Sequence, residues 1–141
     1  MAILNYTTQI AAEKTIMEIQ QMLVKAGAKE FQSKYDDDGI LHAMSFAIKT
    51  PNGMVGFKLP AHIDNVYKIL CKTRNISGKY RTKEQASRTA WRIIKDWVKA
   101  QVAMIEVGMV ETMEVFLPYA LRPDGATMYE ALVDNGMKLL T

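Results

Sequence analysis

A single cysteine, Cys71, leaves this 141-residue chain without an internal disulfide, so its fold has to rest on a packed core. There are only two histidines, His42 and His62, and neither has a second histidine, a cysteine or a carboxylate at ligand spacing. A zinc site therefore has no support, and no metal or cofactor is expected. The glycine patterns of phosphate-binding loops and dinucleotide-binding turns are missing. No stretch reaches the roughly 18 uncharged apolar residues of a membrane span. The nearest approach, residues 100–110, is short and contains Glu106. The first residues have no basic segment leading into an apolar run, so a cytoplasmic location is expected.

Catalytic groupings are also scarce. Cys71 stands beside Lys72 and Arg74, yet no histidine is placed by sequence to serve as its base. The run Asp36-Asp37-Asp38-Gly39 lacks the spacing of a calcium loop and reads as a turn. A nuclease built on those aspartates is the enzyme alternative; the expectation is a protein that binds and does not catalyse.

What the chain does have is apolar material, 49% of its residues, enough for one core at this length. Residues 7–26 carry Ile10, Ala11, Ile16, Ile19, Met22, Leu23 and Ala26 at helical spacing, with Thr7 or Thr8 as N-cap and Gly27 as stop. Three strands follow. In the first, Phe31, Ser33 and Tyr35 alternate with polar residues; in the second, Ile40, His42, Met44, Phe46 and Ile48 share a face. In the third, Val55, Phe57 and Leu59 point inward after the Pro51-Asn52-Gly53 turn. Pro60 opens a short helix to about Lys72, and Thr82 caps a long one. The helical pattern after Thr82 continues past Gly108 toward Pro118, about 50 Å at 1.5 Å per residue, which is too long for a domain this size. It has to kink near Gly108 or project. A last helix spans 127–140. The expected fold is α+β in a single domain, 1–141: an antiparallel three-stranded meander packed on an N-terminal and a long helix, with a short last helix. Residues 1–81 supply the sheet with its first two helices, and 82–141 supply the rest.

Charge is unevenly distributed. Residues 66–100 hold ten Lys and Arg against two acids, a balance of +8, while 1–65 come to −1 and 101–141 to −4. Within that segment Arg88, Arg92, Lys95 and Lys99 fall on one helical face, with Arg81 further back on the same stripe and Lys79 and Lys83 flanking it. Only Glu84 and Asp96 are available nearby as acid partners. These seven cations are the candidate nucleic-acid or polyanion contacts. Tyr67, Tyr80 and Trp91 lie close enough in sequence to stack on bases, whereas Trp97 is centred on the core side. No helix-turn-helix, zinc-finger or RRM signature supports reading of base sequence.

Beyond Lys99 the pattern turns apolar on nearly all sides. Val102, Ile105, Met109, Val110, Met113, Phe116 and Leu117 are the candidate oligomer or partner interface, since a helix apolar all round has to be covered all round.

The stretch Tyr80-Arg81-Thr82-Lys83-Glu84-Gln85-Ala86, continuing through Ala90-Trp91-Arg92-Ile93-Ile94-Lys95-Asp96-Trp97-Val98 to Glu114-Val115-Phe116-Leu117-Pro118-Tyr119, resembles a family of small bacteriophage- and prophage-encoded proteins. The opening Met1-Ala2-Ile3-Leu4-Asn5-Tyr6-Thr7 is similar to theirs as well. The resemblance implies a viral product acting inside a bacterial cell, in nucleic-acid metabolism or against host defences, and implies no site residues. Two functions are expected from these readings. The first is an accessory protein that binds nucleic acid as a homo-oligomer. The second is an anti-defence inhibitor that occupies an acidic surface of a host protein, such as a nucleic-acid-guided nuclease.

Overall fold

The computed structural model describes residues 3–138; Met1, Ala2 and the expected helix positions 139–140 lie outside the described residues. The element order is α1 (Ala12–Lys25), β1 (Ala28–Tyr35), β2 (Leu41–Thr50), β3 (Gly53–Lys58), α2 (Ile63–Lys72), α3 (Lys83–Glu106), α4 (Thr112–Phe116) and α5 (Met128–Asp134). The sheet is an antiparallel meander, β1-β2-β3, with α1 and α3 on its core face and α2 against α3. This is the α+β architecture expected.

Where local expectation and structure differ, tertiary contacts explain the difference. Thr7 and Thr8 do not cap α1, which begins after Ala11 without a side-chain cap. The carbonyls of Tyr6 and Thr8 instead accept from the Gln85 side-chain amide at 2.8 and 2.9 Å, which holds the turn at Leu4–Thr7 against α3. In β2 the alternation slips. Lys34 pairs with Ala43 but Tyr35 pairs with Leu41, so His42 is an extra residue, a β-bulge. Leu41 thereby joins Met44, Phe46 and Ile48 in the core, and His42, expected among them, is exposed. Pro60 likewise stands ahead of α2, whose N-cap is His62.

The long helical pattern ends at Glu106. Gly108 adopts φ +77°, and the N–H groups of Gly108 and Met109 donate to the carbonyls of Ile105 (3.1 Å) and Met104 (2.9 Å), a Schellman closure. The chain then reverses, and α4 brings Phe116 under the sheet. Phe116 stands edge-on to Phe46 (centroids 5.3 Å) and Trp97 (5.7 Å), and Phe46 stacks on Phe57 at 5.2 Å. Gly108→Ala meets no steric obstacle but puts a side chain at positive φ. We expect it to cost about 1 kcal/mol in urea unfolding, with the unfolding slope unchanged.

After the Leu117-Pro118-Tyr119 turn, Ala120 and Leu121 pair with the free edge of β3, the Leu121 N–H donating to the Gly56 carbonyl at 2.7 Å. That edge is thus covered. Thr127 then caps α5 in a reciprocal box with Glu130. Hydrogen bonds from the Thr127 backbone and hydroxyl hold the Glu130 carboxyl below its ordinary pKa, aided by the nearby charges of Lys58 and His62. A lowered carboxylate pKa stabilises the fold above the group's unfolded pKa, and the contribution is lost as pH falls through the folded value.

Candidate nucleic-acid interface

Two kinds of basic surface arise from the +8 segment, because α3 is covered on more than one side. Its buried residues include the polar Gln85, Ser87 and Thr89 beside Ala86, Ala90, Trp91, Ile94, Val98 and Val102. Ser87 Oγ and Trp91 Nε1 both donate to the Leu41 carbonyl, at 2.7 and 3.2 Å, which fixes α3 on the start of β2. Trp91 is fully buried and Trp97 half-buried, the reverse of the order expected.

The side of α3 carrying Arg88, Arg92 and Lys95 faces α1. Glu18, on α1, takes both Arg92 Nη1 (3.2 Å) and Lys95 Nζ (3.4 Å). The side chains of Arg92 and Lys95 are only 14% and 17% exposed. Arg88 is braced on the Gln85 side-chain oxygen at 2.7 and 3.0 Å. Lys99 remains exposed. The stripe is therefore not the solvent face it was expected to be, and its missing acid partner comes from another helix. Glu18→Gln leaves two cations half-buried without a carboxylate, and we expect it to cost about 1 kcal/mol by urea denaturation.

Arg81 is also occupied. Its guanidinium donates to the Thr73 carbonyl at 2.8 Å and to the Leu70 carbonyl at 3.4 Å, satisfying carbonyls at the C-terminal end of α2. It is a structural cap.

The remaining cations form the second surface. Lys68 and Lys72 lie one turn apart on α2; Arg74 and Lys79 follow on the connection, with Asn75 at φ +64° turning the chain; Lys83 opens α3. All five are exposed. Among the described residues none of them has a carboxylate within 4.0 Å, the two ion pairs being those of Glu18. Lys79 Nζ sits 5.1 Å from the centre of the Tyr80 ring, and Tyr80 is edge-on to Tyr6 at 5.4 Å. Tyr67, on α2, is half-buried, and hydrogen bonding to Cys71 raises its hydroxyl pKa. Of the seven expected contacts, Lys79, Lys83 and Lys99 are thus exposed, while Arg81, Arg88, Arg92 and Lys95 are engaged within the fold. Lys68, Lys72 and Arg74 were legible as charge but had no motif to single them out.

The expected apolar interface divides in the same way. Val102 and Phe116 belong to the core; Ile105 and Met113 pack against it, and Val110 is half-buried. Only Met109 and Leu117 are largely exposed, at 67% and 48%. The reversal at Gly108 lets the apolar segment cover itself.

Among the described residues no group of three or more His, Cys, Asp or Glu side chains is placed to hold a metal ion. No described helix is long and apolar enough to cross a membrane. No family model, no curated protein and no solved structure matches the chain.

Proposed function

We propose that the protein binds nucleic acid, without chemistry of its own, through the exposed cations of α2, the connection after it and the first turn of α3. One observation carries the reading: Lys68, Lys72, Arg74, Lys79 and Lys83 are exposed and, among the described residues, free of carboxylate partners, in a fold that does pair Arg92 and Lys95. Phosphates are the groups that such a surface attracts, and counterion release is the driving term. The half-buried Tyr80 ring beside Lys79 adds an aromatic edge next to the cations. Nothing in the arrangement resembles a base-reading helix, so the reading is of binding without sequence preference. The phage setting implied by the sequence resemblance is compatible with it. Titration of single- and double-stranded DNA at two salt concentrations tests it: salt-insensitive or undetectable binding overturns it.

A second reading, blockade of a host protein, is favoured by an apolar groove of about 730 Å³ between Leu117-Pro118 and α5, lined by Met128, Tyr129 and Leu132. Under it free DNA binds weakly, and Tyr129→Ala abolishes the protein's inhibitory effect. Under the first, Tyr129→Ala leaves DNA affinity unchanged.

A further inference from the structure

We propose that the cleft between the start of β2, the end of β3 and the first turns of α2 and α3 holds a phosphate monoester, the terminal phosphate of a nucleic-acid strand. The cleft has a volume of about 560 Å³ and takes cationic or imidazole side chains from four elements and the N-cap: His42 on β2, Lys58 on β3, His62, Lys68 on α2 and Lys83 on α3. A row of cations on one helix is the ordinary pattern of a solvated face. Convergence of residues 42, 58, 62, 68 and 83 from separate elements into one concavity is not.

The acids lining the cleft are Asp36 and Asp64; Glu130 lies outside the lining but feels the charges of Lys58 and His62, and both Asp36 and Glu130 are engaged with backbone N–H groups. Asp36 Oδ1 accepts from the N–H groups of Asp38 and Ile40, both at 2.9 Å, and closes the β1–β2 turn. Glu130 Oε1 accepts the Thr127 N–H at 3.0 Å. Asp64 stands in the first turn of α2, where the helix dipole favours a carboxylate. Among the described residues none of these acids lies within 4.0 Å of Lys58, Lys68 or Lys83. The three ammonium groups are therefore outside ion pairs, with Lys58 alone close enough to Glu130 to lower its pKa. At the α2 terminus the Ile63 N–H donates to the Ala61 carbonyl at 2.8 Å, and those of Asn65 and Val66 to the His62 carbonyl at 3.1 and 3.3 Å, so the donors the cleft offers are its side chains.

The ligand chemistry follows from charge and shape. A terminal phosphate carries about −1.5 to −2 at neutral pH, against −1 for each internal phosphodiester, and rewards a site where several cations converge. A concave site also favours a strand end, because an internal phosphate would need room for the chain on both sides. That the monoester belongs to a strand rests on the nucleic-acid reading above. The phosphate site itself does not.

Two measurements test the proposal separately from that reading. The chain has two histidines, so their imidazole signals can be followed individually by NMR. Titration with a nucleoside 5′-monophosphate should move both signals, and the parent nucleoside neither; a monophosphate that leaves either signal in place overturns the site. In fluorescence anisotropy, an oligonucleotide with a terminal phosphate should bind about tenfold tighter than its hydroxyl counterpart, and Lys58→Gln with Lys68→Gln should erase the difference. Equal affinities overturn the strand-end assignment and leave the polyanion surface standing. Absence of any oligonucleotide binding, with both histidines still responding, overturns the strand-end assignment and the nucleic-acid reading together and leaves a mononucleotide phosphate site.

Discussion

Lys72→Glu combined with Lys79→Glu is expected to weaken duplex DNA binding about sixtyfold at about 0.1 M salt and to flatten its salt dependence. Counterion release gives about 0.9 in the slope of log affinity against log salt for each phosphate neutralised on duplex, or about eightfold in affinity per contact near 0.1 M. Five exposed cations predict a slope of about −4.5, and removing two contacts reduces it to about −2.7. Both lysines lie on α2 and the connection, are exposed, and lie outside the terminal-phosphate cleft, so the variant tests the surface alone. The same reversal at Arg92 and Lys95 is expected to act differently. It places two carboxylates against Glu18 between α1 and α3, so its main effect is lost stability. If the Arg92/Lys95 variant stays folded and loses binding while the Lys72/Lys79 variant retains it, the stripe on α3 is the contact and the proposed surface is wrong.

Phe116→Ala is expected to cost about 3–5 kcal/mol, a large part of the total stability of a domain this size. Phe116 is fully buried and joins Phe46, Phe57 and Trp97 in one aromatic cluster, so its loss opens a cavity between the sheet and two helices. In a thermal melt that is a drop of about 10 °C or more. Met109→Ala, at an exposed position seven residues earlier, should stay within about 0.5 kcal/mol. A partner interface would behave in the opposite way. If removing Phe116 changes the mass seen by light scattering but leaves the melt where it was, the core placement of α4 is refuted.

Much of the fold was legible because it is specified locally. The period of two in β1 to β3, the Asp-Gly and Asn-Gly turns, Gly27 after α1 and Thr82 before α3 each act within a few residues. The break at Gly108 was legible only as one of two outcomes, a kink or a projecting helix, because helix length alone cannot choose between them; the closure after Glu106 decided it. The bulge at His42 was not legible. It depends on how Tyr35 and Leu41 pair across the hairpin, and a single inserted residue exchanges which side chains face the core.

The candidate site was less legible for a related reason. The sequence by itself determined that charge concentrates between residues 66 and 100, that four cations share one side of a helix, and that the chain builds an α+β core without disulfide support. Only the tertiary structure decided which cations remain available. A helical period identifies one apolar face, and a helix packed by α1, α2 and the sheet has more than one covered side. Gln85 and Thr89 are buried although polar, because the N-terminal segment supplies their partners. Glu18 reaches Arg92 from 74 residues away. No spacing rule within α3 could reveal that partner, because the pairing depends on α1 packing alongside. The available cations fall instead on α2, the connection after it and the first turn of α3, where among the described residues no carboxylate comes within 4.0 Å of them.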